Sequence, residues 1–164
     1  MRRTFDLAPM STAIRWLTIG LLCLPAAFAL AAAFAGQRAL WVPALLLAIV
    51  YALVWLFARP TRFDVDAGAI AIDFPAWTRS VHDVTSARLI TVAELRQLLG
   101  FPLRIGVGGL WGGFGWLWTS RRGLVEFYIS RADGLVLLER RQGRSLLVTP
   151  DDPDGFVSTI VPGA

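Results

Sequence analysis

Residues 16–58 read "WLTIGLLCLPAAFALAAAFAGQRALWVPALLLAIVYALVWLFA", and the only charged side chain among them is Arg38. Trp16 to Gly36 and Ala39 to Ala58 are uncharged, and at about 20 residues each can cross a hydrocarbon core of about 30 Å. Only Gln37 and Arg38 separate them, so 16–36 and 39–58 are expected to form a tight antiparallel transmembrane hairpin. Arg2, Arg3 and Arg15 flank the first span, Arg59 and Arg62 follow the second, and Arg38 stands alone in the turn. That bias predicts an N-terminal segment, 1–15, and a domain, 61–164, that are both cytoplasmic. Trp16 and Trp55 fall at the inner interface and Trp41 at the outer one. Ala27, Ala31, Ala35 and Ala44, Ala48, Ala52 repeat every fourth residue, either as close-packing stripes or because alanine is abundant here.

A cleaved signal is the rival for the first span, because "RRTFDL" and "ALAAAFAG" resemble a twin-arginine start and small-residue cleavage sites. The second span that follows at once favours a retained hairpin. On either reading Arg59 and Arg62 keep the rest of the chain on the inner side.

Composition agrees with a membrane protein: 55% of residues are hydrophobic, 17% are charged, and the mean hydropathy is +0.58. All sixteen basic residues are arginine, a usage expected of a GC-rich bacterial genome, and the membrane expected for the two spans is a bacterial inner membrane. The net charge of +4 lies wholly before Pro60; from there on, eleven arginines meet eleven carboxylates. A neutral soluble part lacks the electrostatic footprint of a nucleic-acid binder. Cys23 is the sole cysteine, so no intrachain disulfide can form.

From Thr61 the texture changes to short alternating runs. "RFDVDAGAIAIDF" (62–74) reads as a hairpin turning at Ala67-Gly68, with Phe63 and Val65, then Ile70, Ile72 and Phe74, on one face. "WTRSVH" and "SARLIT" fit two more strands around Asp83. "LVEFYIS", "LVLLER" and "SLLVT", joined by "RADG" and "RQG", read as a meander. Asp152 caps a short helix with Pro153 at its first position, an apolar stripe of Phe156, Val157, Ile160 and Val161, and a stop at Pro162-Gly163.

Two segments, "RIGVGGLWGGFGW" (104–116) and "GRSLLVTPDDPDGFVSTI" (143–160), make residues 62–161 resemble the membrane-anchored bacterial pleckstrin-homology-like family. The resemblance implies a bent barrel of about seven antiparallel strands capped by one C-terminal α-helix. Neither segment is catalytic, so the resemblance speaks to the fold more than to the task. Eukaryotic relatives of that fold read phosphoinositides through a basic first hairpin; here that hairpin is acidic, which argues against an inherited lipid site.

"GVGGLWGGFGWLW" (106–118) packs six glycines into its first ten residues. It fails as a dinucleotide loop, because Trp111 stands where the third glycine is needed, and as a Walker loop, because the chain has no lysine. Two readings stand: glycines that permit a bend or close strand approach, or a membrane-contacting segment through Trp111, Phe114 and Trp116. Arg121, Arg122, Arg140, Arg141 and Arg144 cluster at turns and are candidates for anionic lipid or partner contact. "PDDPDG" lacks calcium-loop spacing and reads as the helix cap. His82 beside Asp83 reads as a solvated turn, and one His with one Cys offers no metal set. The expectation is a non-enzymatic module without cofactor or metal. It is anchored in the bilayer through residues 16–58 and engages an unidentified protein or the membrane itself.

Overall fold

The computed structural model describes residues 2–66, 69–100 and 102–160. The Ala67-Gly68 turn, Val161 and the Pro162-Gly163 stop lie outside them. The chain opens with strand β1 (Arg3–Asp6), unannounced because Phe5 is its one apolar residue. Helix α1 (Thr12–Phe34) follows, capped by Ser11, then a 3-10 turn (Arg38–Leu40) and α2 (Trp41–Leu53), which ends in a π-helical turn (Val54–Ala58). These are two helices long and apolar enough to cross a membrane.

The alanine stripes are not the seam between them. Of the six, Ala31 is half-buried and Ala44 buried, while Ala27, Ala35, Ala48 and Ala52 are exposed. The shielded positions include Thr18, Leu21, Pro25, Phe28 and Ala32 on α1 and Leu40, Ala44, Leu47, Tyr51 and Val54 on the second span. Their alternating spacing of three and four follows the helix surface, whereas a strict four-residue stripe drifts about 40° per step. Tyr51 Oη adds a 3.0 Å hydrogen bond to the Leu21 carbonyl.

Eleven further elements follow: β2 (Arg62–Asp66), β3 (Ala69–Asp73), β4 (Thr78–Val81), β5 (Val84–Ile90), α3 (Val92–Leu99), β6 (Pro102–Gly108), β7 (Gly113–Thr119), β8 (Gly123–Ile129), β9 (Leu135–Arg140), β10 (Leu146–Val148) and α4 (Pro153–Ile160). Among the described residues the strands do not close into a single barrel. Ten strands form two open sheets, β1-β2-β3-β4 and β5-β9-β10-β8-β7-β6. The expected meander fails: β10 inserts between β9 and β8 and runs parallel to β8. Its sequence explains this. Leu146 and Val148 face one core and Leu147 another, so the strand is buried on both faces as a central strand must be.

The first core lies between the sheets and under α4, where Phe156 is fully buried edge-on to Phe5 at 5.2 Å and Phe63 at 6.0 Å. The second lies on the outer face of the six-stranded sheet, beneath Leu95 and Leu98 of α3. Thr91, read as strand, is the cap of that helix. Its Oγ1 accepts from Glu94 N at 3.2 Å, and Glu94 Oε2 accepts from Thr91 N at 2.8 Å.

Candidate binding surfaces at the helix end of the domain

The two sheets are joined by a part-buried ion pair. Glu126 on β8, 3% exposed, receives both Arg79 Nη atoms of β4 at 2.6 and 3.1 Å, while Arg144 lies 3.6 Å away. Arg79 also donates to Tyr128 Oη at 3.2 Å. Glu126 raises the Arg79 pKa, and burial raises that of Tyr128. Arg79 on the edge strand β4 thus reaches β8, while the six-stranded sheet continues past β8 through β7 and β6.

The glycines make that projecting hairpin possible. Gly106 and Gly115 are register partners with φ of 148° and 136°, and a Cβ on either would collide with the backbone of the opposite strand. The geometric reading of this stretch is the one the backbone displays. At the hairpin's tip, Gly109 N donates to the Gly112 carbonyl at 2.8 Å and Trp111 takes φ of 58°. A tryptophan held in left-handed geometry needs surrounding support. Buried Thr18 of α1 supplies it, since its Oγ1 donates to the Gly109 carbonyl and accepts from Trp111 N, both at 2.9 Å. The Trp111 ring meets Trp55 edge-on at 4.9 Å, and Arg59 lies 4.4 Å over Trp55.

Other ties fasten the domain to the helix bases. Ser130 Oγ donates to the Ala8 carbonyl at 2.6 Å, and β1 pairs with β2. The π-turn's open carbonyls at Leu56 and Phe57 accept from Ala76 N at 3.2 Å and Trp77 Nε1 at 3.1 Å. The domain is docked on the hairpin through hydrogen bonds from several elements.

The candidate residues divide into two groups. Trp111 is half-buried against α2, Phe114 is 1% exposed in the first core, and Trp116 is 44% exposed. Trp116 pairs with Ile105, and Trp118 with Leu103, so four exposed apolar side chains share one face of the hairpin. The sequence reading missed Trp118, Ile105 and Leu103 as surface. Alternation marks a strand face without saying whether another layer covers it. A recess of about 280 Å3 lies where this face meets Phe57, Trp77 and Arg79.

Arg121, Arg122, Arg140, Arg141 and Arg144 lie at the other end of the sheet, where β7 ends at Thr119 and β9 at Arg140. Arg121 Nη1 donates to the Gln97 carbonyl at 2.6 Å, Arg122 pairs with Glu139, and Arg140 Nε donates to the His82 carbonyl at 3.1 Å. The Arg122 guanidinium holds the Glu139 carboxyl below its ordinary range. The fold thus separates these arginines from Trp111 by the length of a strand. Asp152 Oδ1 accepts from Gly155 N at 3.0 Å, making "PDDPDG" the start of α4. Compared with known proteins, the chain matches no family model, no curated protein and no solved structure.

Proposed function

We propose that this chain is a non-enzymatic, pleckstrin-homology-like binding module held in a bacterial inner membrane by residues 16–58, with both termini cytoplasmic. Its binding element is the groove between the unpaired edge of β4 and the projecting face of Ile105, Leu103, Trp116 and Trp118. The observation that carries this reading is the overhang: one sheet ends at Arg79–Glu126 while the other continues for two strands. An extended segment of a partner would add to β4 and lay alternate side chains on the tryptophans. The partner is a membrane protein, because the groove opens at Phe57 and Ala58, where α2 ends. Its segment is apolar, because Arg79 is already paired with Glu126. Confinement to the membrane raises the effective concentration of module and partner.

A second reading, contact of the same face with the bilayer, is favoured by exposed Trp55, Leu56 and Phe57 beside exposed Trp77. A photo-crosslinking residue at Trp118 in native membranes separates the two. A discrete protein adduct, lost when β4 carries Ser80→Pro, supports the groove. Adducts with lipid alone support the bilayer reading and end the first.

A further inference from the structure

On the opposite face of the same hairpin, a recess of about 270 Å3 is lined by Ile14, Leu17, Arg104, Gly113, Ile129 and Arg131. Arg104 is the one charged residue of β6. Its guanidinium carbon lies 4.9 Å from the centroid of the Phe127 ring, and among the described residues no carboxylate pairs with it. Arg131 Nε is buried without a hydrogen-bond acceptor, and its nearest carboxylate, exposed Asp133, is 3.8 Å away. Elsewhere the fold supplies counter-charges: Arg2 meets Asp64, Arg79 meets Glu126, and Arg122 meets Glu139. Burial pulls the Arg104 pKa below its usual value, with no protein anion opposing the shift.

Position supplies the rest of the argument. Ile14 and Leu17 belong to the first turns of α1, where the chain enters its span, and Gly109 lies against Leu17 with room for no Cβ. The recess therefore joins two guanidiniums to an apolar wall that continues along the helix. Guanidinium forks match phosphate oxygens, and the helix surface matches an acyl chain. We propose that this recess binds the phosphate of an anionic phospholipid, with Arg104 and Arg131 on the headgroup and α1 beside the acyl chain. Gly113 is part of the site, because a side chain there would displace the Arg104 guanidinium.

The test uses the full chain in uncharged detergent, titrated with phosphatidylglycerol, phosphatidylcholine or inorganic phosphate, with bound species counted by native mass spectrometry. Wild type is expected to retain phosphatidylglycerol in preference to phosphatidylcholine. Arg104→Gln and Arg131→Gln should each weaken that retention about fivefold, the effect of about 1 kcal/mol per basic residue. Arg88→Gln, on β5 at the opposite edge of the six-stranded sheet, should leave it unchanged. Gly113→Ala keeps the net charge and should lower retention, which keeps the proposal testable if an arginine variant misfolds. Equal retention of the two lipids, or undiminished phosphatidylglycerol in Arg104→Gln and Gly113→Ala, overturns the site. Saturation by inorganic phosphate with no lipid preference overturns the lipid as its source. Photo-crosslinks at Trp118, on the other face, are unaffected by either result.

Discussion

The two ends of strand β7 carry the same chemistry in sequence and opposite chemistry in space. At the Gly113 end, Thr18 grips the turn, Trp111 meets Trp55, and a recess is lined by Arg104, which no carboxylate pairs among the described residues, and Arg131, whose nearest carboxylate is exposed Asp133 at 3.8 Å. At the Thr119 end, arginines are more numerous and several are engaged, by Gln97, Glu139 and His82. A cluster of arginines along the chain is thus a poor guide to available charge. What matters is whether the fold brings an acceptor to each guanidinium, and at the helix end it brings few.

The largest expected effect tests the pin that creates the overhang. Glu126→Ala leaves Arg79 and Tyr128 partly buried without their anion, and should destabilise the sheets by about 3 kcal/mol. The denaturant midpoint of the full chain in detergent reads this; an unchanged midpoint would mean that something else sets the edge of the four-stranded sheet. Next comes Thr18→Val, isosteric but without the hydroxyl that serves Gly109 and Trp111. It should loosen the tip by about 1–3 kcal/mol, seen as faster amide exchange at Trp111 and none at Gly123. Equal change at both ends would remove the distinction between them.

The smallest effect belongs to the far end. Arg122→Gln removes a pair whose members are each 35% exposed, worth less than about 1 kcal/mol. Because Arg122 depresses the Glu139 pKa, the pair's contribution is complete above the unfolded carboxyl value of about 4.3 and fades as pH falls through the lower folded value. A wild-type stability curve should therefore fall more steeply on its acid limb than that of Arg122→Gln. Coincident acid limbs would show that the pair contributes nothing.

Much of the architecture was readable because it rests on local pattern. The uncharged runs around Gln37-Arg38, the alternation of Phe63, Val65, Ile70 and Ile72, and the Asp152-Pro153 start of α4 all appear where their residues place them. The Thr91–Glu94 capping box was legible too and went unread, because "SARLIT" looked like uninterrupted strand. The candidate surface was only half legible. Phe114, Trp116 and Trp118 share a face, yet Phe114 is core while the other two are exposed. Nothing in their spacing reports where the opposing sheet ends.

By itself the sequence determined which segments avoid water, which strand faces are apolar and where helices begin, since these follow from neighbours within a few positions. Only the tertiary structure decided that β10 enters between β9 and β8, that β1 joins the domain's sheet, and that Thr18 holds the glycine tip. It also decided which arginines meet carboxylates. Each of these joins residues far apart in the chain, and their energies come from burial and pairing that exist only once the layers have closed.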